Sequence, residues 1–225
     1  MFSSQNQYYV SISDAQRRPA PDLNYLSTIY NGIKLEEFPF SEEREDYLLF
    51  VGRLQPEKCV AEAVEAAILA DEKLLIVGPP VTGAYWDTKI KPYLGDKIKY
   101  VGHVDYKNLD QYYRRAKALL VPIQWEEPFG LVMIEAMACG TPVIAFRRGS
   151  VPELVKDGKT GFIVDTVDEM AEATKKINNI TKNMPYLSIS NNFICHLCES
   201  KGEITFDPSS GGIGTKLKTA NRTFK

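Results

Sequence analysis

The chain has 225 residues, 44% of them apolar, and a net charge of −2, enough for a buried core but without the broad basic surface that nucleic acid favours. No apolar run is long enough to cross a bilayer, and the start, MFSSQNQYYVSIS, lacks the charged and apolar regions of an export signal, so a cytoplasmic protein is expected. Four cysteines, two of them alone in apolar surroundings, suit a reducing compartment better than a disulfide framework.

Residues 1–40 hold two strand candidates, YYVSIS and LSTIY, the second closing on Asn31-Gly32. The pattern then becomes regular. YLLFVG (47–52) reads as a buried strand, and a helix follows near Glu57–Ala70, where Val60, Ala63, Val64, Ala67 and Ile68 recur at helical spacing. KLLIVG (73–78) is the next strand, with a helical stretch over about Ala84–Tyr93. IKYVG (98–102) precedes a helix near Asn108–Ala116, and ALLVPI (118–123) places Pro122 where a strand must be ending. A helix opening after Pro128, the strand PVIAF (142–146), a short helix near Val151–Val155, the strand GFIV (161–164) and a last helix from about Val167 complete the series. Six apolar runs separated by helices predict right-handed crossovers and a doubly wound, six-stranded parallel sheet: an α/β fold. The expected divisions are an N-terminal join over 1–40, the α/β domain over 41–182, and a tail over 183–225. The tail loses periodicity, and its last seventeen residues carry four positive charges and no negative one, so it is expected to be poorly ordered.

Ligands of such sheets sit beyond the carboxyl ends of the strands, where loops lead into helix N-termini. The loop after the first long strand, Gly52-Arg53-Leu54-Gln55-Pro56-Glu57-Lys58, joins a glycine to two cations and suits a phosphate or diphosphate. The alternative is that Arg53 and Lys58 simply pair with Glu57 or other acids nearby. A second loop, Glu127-Pro128-Phe129-Gly130-Leu131, aims the amides of Phe129–Leu131 out of a helix start, which attracts an anion. On that helix Glu135 is the single charge in an apolar run, about 6 Å along the axis from Leu131. A buried carboxylate needs hydrogen-bond donors, and the vicinal diol of a ribose would supply two. The alternative gives Glu135 a structural role against Arg147, Arg148 or loop amides. The third loop, Gly102-His103-Val104-Asp105, would lie beside a base. Gly78–Gly83 lacks the residues of a phosphate loop and reads as a turn.

FVGRLQPEK, YVGHV and EPFGLVMIEAMACGTPVIAFRRGSVPELVKDGKTGF together resemble the nucleotide-sugar half of a family-four, GT-B-type retaining glycosyltransferase, over roughly residues 8–180. The resemblance implies transfer of a hexose from a UDP-, GDP- or ADP-sugar with retention. Glu127, Arg53 and Lys58 would be the catalytic set, with Arg53 and Lys58 on the diphosphate and Glu127 on the hexose. The binding set would be Gly52, Arg53, Lys58, Val104, Glu127, Phe129, Gly130, Leu131 and Glu135, with Glu135 gripping the ribose and Val104 against the base. No metal is expected, because the cations and the helix start would hold the leaving group. A separate N-terminal domain carrying the acceptor site is implied, supplied by another chain or absent. This chain alone is therefore expected to transfer little or nothing, and membrane association at the inner face would come through that domain. Cys59 departs from the family, which has glycine after the lysine.

The alternative class is a non-catalytic nucleotide-sugar-binding fragment; epimerases and phosphorylases on the same plan form a third. Cys195-His196-Leu197-Cys198 has half of a zinc site's spacing and reads as a chance pattern. His103 reads as a loop residue, and Trp86, Tyr112 and Tyr113 as packing residues. Gly158 and Thr160-Gly161 read as a helix C-cap and a turn.

Overall fold

A computed structural model of the chain describes residues 7–79 and 81–181. The expectations for the tail and for Cys195–Cys198 lie outside the described residues. Six strands form one parallel sheet: β3 (Leu48–Val51), β4 (Leu74–Val77), β5 (Ile98–Gly102), β6 (Ala118–Val121), β7 (Val143–Phe146) and β8 (Gly161–Val164). Their order is β5-β4-β3-β6-β7-β8, so the chain adds strands first to one side of β3 and then, from β6, to the other. β6 and β7 are buried at every position, as strands covered on both faces must be. At the β5 edge, Lys99 and Val101 face outward.

The helices lie on both faces. α1 (Val60–Ala70) and α5 (Val167–Lys176) pack together over one face, burying Val64, Ala67, Met170 and Ala173 with Phe50 and Ile144. α2 (Asp110–Tyr113) and α3 (Leu131–Ala138) cover the other with Leu49, Leu119 and Val143. α5 starts on a capping arrangement: Thr166 Oγ1 accepts from the Glu169 amide at 3.2 Å, and the Glu169 carboxylate accepts from the Asp165 amide at 2.8 Å. α4 (Val151–Leu154) is a single turn with Pro152 at its start, where no donor is lost. No helix among the described residues is long and apolar enough to cross a membrane.

The predicted strands all form, but some helices differ. The stretch expected over Ala84–Tyr93 is a widened turn at Trp86–Ile90 followed by a tight one at Lys91–Tyr93. Pro92 has no amide to continue an α-helical ladder, and the Trp86 ring packs edge-on against Tyr100 at 4.9 Å instead. The helix expected over 108–116 shrinks to a tight turn at Tyr106–Asn108 and the one-turn α2. Gly158 does not cap a helix; it is a left-handed turn residue (φ 71°) four positions past α4. Gly161 is not in a turn but opens β8, where a Cβ would run into the Val143 backbone.

The N-terminal candidates become β1 (Tyr9–Ser11) and β2 (Tyr25–Thr28), paired in parallel as a separate two-stranded sheet. Glu153 of α4 ties the segment down: its carboxylate accepts from the amides of Asp14 and Ala15 at 2.9 and 2.8 Å and from the Tyr30 hydroxyl at 3.1 Å. That anchoring carries Ile12 and Asn31 to the mouth of the larger sheet.

Candidate functional site

Strand order reverses between β3 and β6, and adjoining loops leave the sheet in opposite directions there. A cavity of about 370 Å³ opens at that point. Phe50, Val51 and Gly52 reach it from the end of β3, and Leu120, Val121 and Ile123 from β6 and beyond. The start of α3 contributes Pro128 to Val132, and the N-terminal segment contributes Ile12 and Asn31. Gly52 is uncrowded, since an added Cβ would meet only the Phe50 ring at 3.6 Å. The glycine that packing demands is its neighbour Gly78, where a Cβ would collide with the Gly52 carbonyl.

The loop before α3 is held by its carbonyls. The Ser150 amide donates to Glu127 O at 3.0 Å, the Ser150 hydroxyl to Phe129 O at 2.6 Å, and the Ser13 hydroxyl to Pro128 O. Gly149 (φ 51°) lets its turn lie directly on Glu127, whose backbone a Cβ would strike. Gly130 (φ 82°) then swings the chain into α3. The amides of Gly130 and Leu131 open the helix, where no earlier carbonyl stands in line to accept from them. Gly130 and Leu131 both border the cavity, so their donors and the helix dipole favour an anion there.

Lys58 and Glu127, 69 positions apart, meet directly: Nζ lies 2.6 Å from Oε2, with the side chains only 19% and 14% exposed. The ammonium also stands 5.1 Å from the centroid of the Trp125 ring. Sequence reasoning put these two groups on opposite sides of a diphosphate; here each is the other's partner. Arg53 takes the alternative role. It is 63% exposed in its side chain, pairs with Glu57 at 3.8 Å and does not line the cavity. Val104 is half-buried, packs on the core beneath α3 and also lies outside the lining.

Glu135 is buried, 3% exposed, one turn along α3 from Leu131. Neither arginine reaches it: Arg147 pairs with Asp165 at 3.5 Å, and Arg148 donates to the Arg147 carbonyl at 3.1 Å. A phenol meets it instead: Tyr113, fully buried on α2, donates to Oε2 at 2.7 Å. Tyr113 thus supplies one of the hydrogen-bond donors that a buried carboxylate needs. Burial pushes the Glu135 carboxyl above its ordinary value, while the hydrogen bond from Tyr113 pulls against that shift. Burial also lifts the Tyr113 phenol well above its usual value, with the Glu135 charge adding to it. A buried tyrosine hydroxyl needs a polar partner, so Tyr113 could have been flagged from sequence; which acid it meets depends on α2 packing across α3. Among the described residues, no three His, Cys, Asp or Glu side chains gather as metal ligands do.

The family model for "Glycosyl transferases group 1" matches residues 34–192. A D-inositol 3-phosphate glycosyltransferase of Mycobacteroides abscessus is 39% identical over 155 residues, which covers 66% of this chain and 34% of that protein. The D-inositol 3-phosphate glycosyltransferase 2 of Catenulispora acidiphila is 33% identical over 178 residues, 68% of this chain and 42% of that protein. The chain thus spans less than half the length of these two curated relatives. Among solved structures, the sucrose-phosphate synthase of Thermosynechococcus elongatus superposes with a TM-score of 0.74 at 27% identity, over 83% of this chain and 54% of that one. Anabaena HepE in complex with UDP-glucose superposes at 0.69 and 20% identity, over 82% and 59%, and shares the fold.

Proposed function

Because the chain belongs to the group 1 glycosyl transferases, we propose that it is the donor-binding half of a retaining hexosyltransferase that takes its sugar from a nucleoside diphosphate. The observation that carries this reading is the cavity at the strand-order reversal, bordered by both the partly buried Lys58–Glu127 pair and the residues that open α3, Gly130 and Leu131. A diphosphate would take the amides of Gly130 and Leu131 and draw Lys58 away from Glu127. Glu127, released, would accept hydrogen bonds from the hexose hydroxyls. Arg53, free in solvent apart from Glu57, would close over the phosphates from the rim, and Val104 would lie against the base. As the glycosidic bond to the diphosphate breaks, negative charge grows on the leaving group, and Lys58, Arg53 and the α3 start would stabilise it without a metal ion. The HepE complexes with UDP and UDP-glucose support a uridine nucleotide as the first donor to try.

Because the chain spans less than half the length of these curated relatives, binding without robust transfer is the behaviour expected of it. Calorimetry with UDP, GDP and ADP and their hexose conjugates tests the first part, and product analysis with added acceptors tests the second. Binding of at least one nucleotide diphosphate, tighter than the matching monophosphate, is expected. No heat with any of them at millimolar concentration would refute the donor site.

A further inference from the structure

The cavity wall is mostly apolar, with Phe50, Val51, Leu120 and Val121 reaching it from the sheet. Apart from the Trp125 indole, three polar side chains share its border, those of Lys58, Glu127 and Asn31. Lys58 and Glu127 are committed to each other at 2.6 Å. The half-buried Asn31 carboxamide makes no hydrogen bond to any described residue. Its backbone is nevertheless held on both sides. Before it, the Tyr30 hydroxyl donates to Glu153 at 3.1 Å, and the Tyr30 ring packs on Phe129 with centroids 6.1 Å apart, at the loop that opens α3. After it, Ile33 is 4% exposed, in the same core as Phe129 and Met133. Asn31 is thus a fixed polar group at the cavity with its hydrogen-bonding capacity unspent.

Resting on the donor-site reading above, we propose that the Asn31 carboxamide hydrogen-bonds a hydroxyl of the transferred hexose and helps to select the sugar. On that reading the diphosphate lies at the start of α3 and the base on the loop after β5. Asn31 approaches from the other direction. Its segment is tied to Pro128 by the Ser13 hydroxyl and to α4 by Glu153. Those anchors follow β6 and β7, which lie on the opposite side of β3 from β5. The part of a sugar nucleotide that reaches that side is the part beyond the diphosphate, the hexose. A carboxamide offers two donors and an acceptor, whereas the Glu127 carboxylate only accepts, so the two residues together read how the hydroxyls are arranged. A ligand that fills the cavity expels water from Asn31. An amide dried and left unpaired is penalised, so a sugar lacking a hydroxyl at that point binds less well.

The test is calorimetric titration of wild type and Asn31→Ala with UDP-glucose, UDP-galactose, ADP-glucose and GDP-mannose, each against its parent diphosphate. Asn31→Ala should weaken the sugar nucleotide that wild type binds best by about threefold to tenfold, as the loss of one neutral hydrogen bond does. Affinity for the parent diphosphate should change by less than about twofold, which also shows that the variant is folded. Asn31→Ser, too short to span the same gap, should show the same selective loss and guards against an alanine variant that does not fold. An equal loss for sugar nucleotide and diphosphate would place Asn31 at the nucleotide or in the framework of its segment. No loss for either would leave it out of the site. Both results overturn the proposal while the donor site stands. If wild type binds a diphosphate but none of the four sugar nucleotides, the proposal again falls and the diphosphate site stands. If nothing binds, the donor site itself is refuted and the proposal with it.

Discussion

Glu127 and Glu135 sit eight residues apart on one segment, both shielded from water, and the fold treats them in opposite ways. Glu127 is neutralised by a cation, Lys58, at 2.6 Å. Glu135 is held by a neutral phenol, Tyr113, at 2.7 Å, and burial pushes its carboxyl upward. A carboxylate facing an ammonium has a counter-charge to lose, and on the donor-site proposal it would trade that partner for sugar hydroxyls when a phosphate takes the lysine. A carboxylate held by a phenol has no counter-charge to lose. The two acids thus have two kinds of partner, one ionic and one purely hydrogen-bonded. The distinction comes from what lies across from α3 and its loop: the turn before α1 in one case, α2 in the other.

Breaking the ionic side should have the largest effect. Lys58→Met leaves Glu127 with little water and no counter-ion, so the unfolding free energy should fall by about 2–3 kcal/mol, somewhat less than for a fully buried pair. Urea denaturation checks this. The double variant Lys58→Met/Glu127→Gln should regain most of that loss, because two neutral groups no longer need each other. Neither protein should recover the nucleotide diphosphate: a charged hydrogen bond worth roughly 1.5–3 kcal/mol corresponds to about 10- to 150-fold in affinity. Equal stability of the single and double variants would mean that Glu127 does not depend on Lys58, and the contrast with Glu135 would disappear.

The sequence was informative where one residue's surroundings are set by its own element. β6 (ALLV) and β7 (VIAF) announce burial on both faces, and all six strands of the sheet fall where their apolar runs predicted. Pro122 marks the end of β6 as its missing amide requires. The region around Trp86–Tyr93 was less legible, because Pro92 and the Trp86–Tyr100 contact set its geometry rather than periodicity. In the site, the segment from Glu127 to Glu135 drew attention through its two charges, yet their partners could not be read from it. Lys58 lies 69 positions from Glu127, and Tyr113 lies on an element whose register against α3 only the folded chain fixes. Cys59 stood out as the one departure beside the predicted phosphate loop; why it matters depends on a backbone angle that no sequence pattern reports.

The hydrogen-bonded side should respond to pH. Glu135 has a folded pKa above its ordinary value of 4.5, with burial as the main cause. The stability it contributes is therefore fully present below that ordinary value and is lost as pH rises through the folded one. Glu135→Gln keeps an oxygen for the Tyr113 phenol and cannot ionise. It should unfold about 2–4 °C higher than wild type at pH 7, equivalent to roughly 1 kcal/mol for a chain of this size. The gap should close on acidification to below pH 4.5. Denaturation of both proteins at pH 7 and pH 4 measures it, and a gap that widens in acid would mean the carboxylate is stabilised, not burdened, by its site. The same variant should bind UDP more weakly, since an amide accepts fewer ribose hydrogen bonds than a carboxylate.

The smallest effect concerns the residue that joins Lys58 to α1. Cys59 has φ 55° and ψ 42°, a left-handed conformation that costs a side-chain-bearing residue roughly 1–2 kcal/mol. It is nevertheless 4% exposed, burial raises its thiol above its usual pKa, and the thiol donates to the Glu57 carbonyl at 3.8 Å. Cys59→Ala would lose the thiol's packing and keep the strain; Cys59→Gly would lose the packing and relieve the strain. Glycine should therefore be the more stable of the two by about 1 kcal/mol, the reverse of their usual order within a helix. Thermal denaturation of the pair decides it. If alanine proves the more stable, Cys59 does not strain the backbone, and Lys58 owes its position to the Glu127 ion pair rather than to the turn that carries it.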